Sequence, residues 1–236
     1  YLSGTLGIES SVTHSRLQLV YDHNNRNLTE QYIKDKEREE REAKVRQVQI
    51  TKLYSRAKDI TANSIATKYL TQARAITCAL SQDIKMAGIF DKEKNKYFPA
   101  LIGFVRSAEG DITGGQQILL NPTTGTKAGV DIPKKSFGKI AGSFVDVGEI
   151  KIGEIKAGDV KSDNNVQASK ATNITIIAEG LETALSVKQA LIVENKEKNE
   201  LKSNVKILCS LGISNIGNYK PSSEEKIIIA ADNDGR

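Results

Sequence analysis

From residue 27 to residue 62 no Gly or Pro interrupts the chain, and Val45, Val48, Leu53 and Ile60 recur at roughly helical spacing among alternating acids and bases. That spacing predicts a surface helix laced with i to i+4 charge pairs, or else a nucleic-acid-binding face. A second helix is expected over "ANSIATKYLTQARAI", after which the period changes to two. "FPALIGFVRS", the turn "AEGD" and "ITGGQQILLNP" form a predicted β-hairpin with Gly110 at its turn. "NPTTGTKAGVDIPKKSFGK" is expected as a loop, and "SFVDVGEIKIGEI" as one more hairpin. The polar "KAGDVKSDNNVQASKAT" predicts a linker and a boundary near residue 170. Residues 1–23 are weakly patterned, with "LQLVYDH" their one strand-like piece. The expected divisions are therefore an N-terminal stretch 1–26, a helical segment 27–80, a β-rich region 81–170 and a C-terminal domain 171–236.

The last stretch changes character. "NITIIAEG", "NVKILCSLG" and "KIIIAAD" are continuous apolar runs, the first two separated by the helical "LETALSVKQALIVEN". Such runs predict strands of a parallel sheet covered on both faces, with their carboxyl ends on one edge. Two of these ends carry acids: Glu179, followed by Gly180 for a tight turn, and the pair Asp232 and Asp234. Alternation sends both aspartates to one side, where their repulsion calls for a cation, and hard oxygen ligands suit Mg2+ or Mn2+. Glu179 is then a further ligand or a general acid-base group. Taken singly, each acid reads as a helix cap or turn residue; their joint placement on one sheet edge is what makes a site.

Composition narrows the partners. The 236 residues are 39% hydrophobic and 27% charged, enough to build a core, and the net charge of +5 permits contact with phosphate without requiring it. Lys127, Lys134, Lys135 and Lys139 stand against the single acid Asp131 in one loop, a candidate phosphate-contacting patch or a solvated loop. Few aromatics and no Trp argue against stacking platforms as the main device. Cys78 and Cys209 sit in apolar surroundings and read as buried thiols of a reducing, cytoplasmic protein. No membrane span or signal sequence is visible, and the opening Tyr1 reads as a cut edge. His14 and His23 lack companion ligands, and Ser186 lacks a nearby His to activate it.

Together "AEGLETALS", "CSLGISNIGNY" and "IIIAADNDG" resemble the Toprim domain of topoisomerases, bacterial-type primases and some nucleases, most closely that of primases of phages and conjugative plasmids. The resemblance extends back to about residue 50. It implies an α/β fold, a Toprim-like parallel sheet with flanking helices, preceded by a helical segment and a small β-rich region. It implies Glu179 as the acid-base residue of phosphoryl transfer and Asp232 and Asp234 as holders of Mg2+ or Mn2+. The implied activity is nucleotidyl transfer, primer synthesis from nucleotides on single-stranded DNA in replication or conjugation, with a helicase or relaxase module as a further partner and no membrane. Rivals are phosphodiester cleavage in the same fold, or a non-enzymatic DNA-binding fragment. Thr183 stands where many primase-type members carry an acid, with Glu182 beside it, and no zinc-ribbon cysteines are present. The family continues past D-x-D with a helix and a strand, so the domain reads as C-terminally incomplete, with Ile227, Ile228 and Ile229 partly uncovered, and is expected to be weakly active or inactive alone and prone to associate through its C-terminal strand.

Overall fold

The computed structural model describes the backbone of residues 6–152, 172–195 and 203–231, and side chains from residue 29 onward. It contains two compact units, Tyr1–Val48 and Gln49–Arg236. Helix α1 spans Leu6–Arg56. It includes "LQLVYDH", so that piece is helical and not a strand. Over residues 29–48, α1 is solvated as its charge pattern predicts. Arg38 pairs with Asp35 at 3.1 Å and Arg46 with Glu42 at 3.3 Å, and Tyr32, Val45 and Val48 are exposed.

The second unit contains two sheets. The first runs β1-β2-β3-β4-β5 and is antiparallel throughout: β1 Lys58–Asp59, β2 Ile84–Asp91, β3 Lys96–Arg106, β4 Ile112–Leu119 and β5 Lys134–Gly138. The β3–β4 hairpin forms as expected, with a bulge at Val105/Arg106 beside its turn. Strand β5 corrects the expectation of a continuous loop: Lys134 pairs with Ile118 and Gly138 with Gly114, extending the sheet. The second helix is shorter than its pattern suggested, α2 Ile65–Lys68 running into a π-helical turn, Tyr69–Ala73.

The second sheet has the order β6-β8-β7-β9, from β6 Val145–Ile152, β7 Thr172–Ala178, β8 Ser203–Cys209 and β9 Glu225–Ala230. Strands β8 and β9 flank β7 in parallel, as the apolar runs predicted, and β6 adds an antiparallel edge. The segment expected to fold back as a second hairpin instead continues through Gly148 as one bulged strand, β6. Helix α3, Leu181–Asn195, lies between β7 and β8 in the chain, and the short α4, Ile213–Ile216, follows β8. The expected linker, residues 153–171, lies outside the described residues. The chain is thus mixed α/β, with an antiparallel sheet beside one built on parallel pairs.

Alternation divides β3 between two cores. Leu101 and Val105 join Leu181, Ala184 and Leu185 of α3 and Val205, Ile207 and Cys209 of β8. Ile102 and Phe104 face the last turns of α1, where Leu53 and Tyr54 pack and Tyr54 meets Phe104 edge to face. On β9, Ile228 and Ile229 are exposed. Among the described residues no helix is long and apolar enough to cross a membrane.

Candidate functional site

The three parallel strands finish level: Ala178 of β7 is the register partner of both Cys209 of β8 and Ala230 of β9. Half-buried Glu179 therefore leaves the sheet at its carboxyl edge, the edge at which α/β sheets bind ligands. Gly180 is buried at the turn, and its carbonyl accepts the Ala184 N–H at 2.9 Å, closing the first turn of α3. Asp232 and Asp234 lie outside the described residues, as does any contact they make with Glu179. Among the described residues no three His, Cys, Asp or Glu side chains form a ready-made metal site, so Glu179 is the one member of the expected oxygen ligand set that is in view.

The lysines separate in an unexpected way. Lys127 and Lys134 converge on Glu182, in the first turn of α3, with Nζ atoms 3.1 Å and 3.6 Å from its carboxylate. Arg74 approaches it to 3.3 Å, and the buried Tyr69 hydroxyl donates to it at 2.5 Å. Lys127 is held by a bridge between its backbone and Leu120, and Lys68 fixes the preceding turn by donating to the Thr123 carbonyl at 3.0 Å. Lys134 reaches the cluster because β5 is a strand; Lys135, next to it, points to the opposite face and is exposed. Lys139 is not in the cluster but lines a cavity elsewhere.

Three cations around one carboxylate leave an excess of positive charge in a half-buried setting. Burial acts to raise the Glu182 carboxyl, but the Tyr69 hydrogen bond and the Lys127 and Lys134 charges outweigh it and hold it below the usual glutamate range. Burial first, and then the bond to Glu182, push the Tyr69 phenol well above its ordinary value, so it remains a donor. Gln116 is the register partner of Gly103, where a Cβ would lie 3.2 Å from Leu181, so its side chain faces the start of α3. Its Nε2 donates to Ser136 Oγ at 3.2 Å, while its buried Oε1 has no hydrogen-bond partner.

Sequence reasoning passed over Tyr69, Arg74 and Gln116 and left Glu182 without a role. For Glu182 a signal exists: an acid in the first turn of a helix, close in sequence to a strand-ending glutamate, in a chain with a lysine-rich loop. For the other three there is none, because their elements are remote in sequence. Thr183 is half-buried beside Glu182, and Ser186 is exposed on α3. Cys78 and Cys209 are free thiols; Cys209 is buried as expected, whereas Cys78 is only half-buried.

Residues 44–147 are similar to a family described as a domain of unknown function, DUF7146. No curated protein and no solved structure matches the chain. The similar segment contains Arg74, Lys127 and Lys134 and ends before Glu179 and Glu182.

Proposed function

We propose that the chain is a Toprim-type, primase-like nucleotidyl transferase, in which Glu179, Asp232 and Asp234 surround Mg2+ or Mn2+ and the cations about Glu182 receive nucleotide phosphates. The observation that carries this reading is the level register of Ala178 and Ala230, one residue before Glu179 and two before Asp232, beside a cluster of three cations. Adjacent strands lie roughly 4.8 Å apart, so side chains leaving neighbouring ends are within reach of one ion. The donor set is all carboxylate oxygen, which fits a hard divalent cation. When bound, the ion supplies charge neutralisation and orientation at the phosphate.

The chain's own groups have separate tasks in this scheme. Glu179 takes the proton of the attacking 3′-hydroxyl as its oxygen bonds to the α-phosphorus of a nucleoside triphosphate and the bond to the β-phosphate oxygen breaks. Pyrophosphate leaves with that electron pair. Lys127, Lys134 and Arg74 offset the negative charge of the triphosphate, with Glu182 as their counter-ion while no phosphate is present.

Incubation of the protein with labelled ribonucleotides, single-stranded DNA and Mg2+ or Mn2+ tests the reading. Primers are expected, and Glu179→Ala should lower their yield by about a hundredfold or more, the scale of a lost general base. Shortened DNA strands would establish cleavage instead. If neither primers nor fragments form and the protein only retains DNA, the enzymatic reading is wrong.

A further inference from the structure

A cavity of about 530 Å³ lies between the tip of the β3–β4 hairpin, the segment joining β5 to β6, strand β8 and the loop after α4. Small-molecule sites run from roughly 300 to 1,000 Å³. It is on the face of the second sheet opposite α3. Val205, Ile207 and Cys209 of β8 pack into the core with α3, so Lys206 and Leu208, which alternate with them, face the other way and line the cavity. Glu179, Glu182, Arg74, Lys127 and Lys134 take no part in it.

Its walls combine lysines that stand outside ion-pair distance of any described carboxylate with an aromatic pair. Lys139, Lys206 and Lys220 line it, and no carboxylate lies within 4.0 Å of their ammonium groups among the described residues. Of the two acids on the wall, Asp146 is engaged by the Gly148 N–H at 2.9 Å, while Glu109 interacts with the Lys139 charge, as Glu225 does with that of Lys206. Arg106, a fourth cation, is committed to buried Asp83 through bonds of 2.7 and 2.8 Å. Phe144 and Tyr219, also on the wall, meet edge to face with ring centroids 5.5 Å apart.

These walls are held in place. Asn215, 3% exposed, donates to the Ser143 and Ser210 carbonyls at 2.8 and 2.9 Å. Its Oδ1 accepts from the Gly142 N–H at 2.8 Å and from Asn218 Nδ2 at 3.2 Å. One buried side chain thus ties together Gly142, Ser143 and Asn218, all of which line the cavity. A site whose walls are fixed before binding spends less free energy on ordering them.

Ammonium groups neutralise phosphate, and an aromatic ring accepts the face of any base. We propose that this cavity is a second nucleotide site, distinct from the Glu182 cluster, in which Lys139, Lys206 and Lys220 hold a phosphate and the Phe144–Tyr219 pair receives the base. The nucleotide is either one unit of a single strand or a free nucleotide, and both present the same chemistry. The inference does not depend on catalysis at Glu179.

Binding of a fluorescein-labelled oligothymidylate by anisotropy, and of thymidine triphosphate by calorimetry, both in EDTA, tests the proposal. Lys206 and Lys220 are exposed, so their joint replacement by Ala should leave the fold intact, which circular dichroism checks. The double variant should weaken binding by about tenfold near 0.1 M salt and reduce the log–log salt slope by about 0.7, the figure for one phosphate contact on a single strand. Tyr219→Ala should also cost about tenfold and Tyr219→Phe little, because the ring and not the hydroxyl meets the base. Losses with the oligonucleotide alone identify a strand as the ligand; losses with the triphosphate as well identify a free nucleotide. Lys135→Ala, on the face of β5 opposite Lys134 and away from the cavity wall, should leave both affinities unchanged. Unaltered protein that binds neither ligand, or folded double and Tyr219→Ala variants that bind both as before, would overturn the proposal.

Discussion

The Glu182 carboxylate is bonded to Tyr69 at 2.5 Å and faces Lys127, Arg74 and Lys134 at 3.1, 3.3 and 3.6 Å, so its charge is what keeps three cations together. Replacing it with Gln preserves shape and removes that charge. Glu182→Gln should destabilise the protein by about 1–2 kcal/mol at neutral pH, below the figure for a fully buried pair because the cations are partly solvated. Its carboxyl is held low in the folded state, so it contributes stability above its unfolded value and loses it as pH falls through the lowered one. Urea midpoints measured from neutral pH down through the glutamate range should therefore fall less steeply in Glu182→Gln than in the parent. If Lys127, Lys134 and Arg74 are phosphate receivers, the same variant should bind tripolyphosphate several-fold more tightly, because the internal anion no longer competes. Equal affinities by calorimetry would count against that role.

At the scale of elements, β6 shows why a pattern read as a hairpin becomes one strand. Gly148 takes φ +132°, and a Cβ there would come within 2.8 Å of Lys188 Nζ. Lys188, buried on α3, donates to the Ala79 and Val147 carbonyls at 2.7 and 2.8 Å, joining α3 to β6 and to the segment before β2. The bulge makes room for that ammonium. Gly148→Ala should cost about 2–3 kcal/mol, from backbone strain together with displacement of the two hydrogen bonds. Gly129→Ala is the control: its Cβ would meet nothing within 4 Å, and the change should stay within about 0.5 kcal/mol. Equal urea midpoints for the two variants would refute the packing account. Helix α3 was legible from its sequence at both ends because a strand-ending E-G precedes it and its apolar spacing is local. Strand β5 was not, because "KKSFG" becomes a strand only through pairing with β4.

Over the whole molecule, four lysines that a single loop carries in sequence reach different surfaces. Lys127 and Lys134 join Glu182, Lys135 lies on the opposite face of β5, and Lys139 lines the cavity behind the second sheet. Replacing Lys127 and Lys134 by Ala should flatten the salt dependence of DNA binding by about 1.4 on the log–log slope, and replacing Lys135 alone should leave it unchanged. An equal effect of Lys135, measured by anisotropy across a salt series, would return all four to one undifferentiated patch. The sequence by itself determined the parallel strands, the helix between the first two, the β3–β4 hairpin and the place of Glu179 at a strand end, because apolar period and turn residues act over neighbouring positions. Only the tertiary structure decided that Tyr69, Arg74, Lys127 and Lys134 meet at Glu182, that β6 joins the second sheet, and that Lys139 and Lys206 share a cavity. Those meetings depend on sheet register and on contacts between residues as much as 113 positions apart, as between Tyr69 and Glu182, and no local pattern records them.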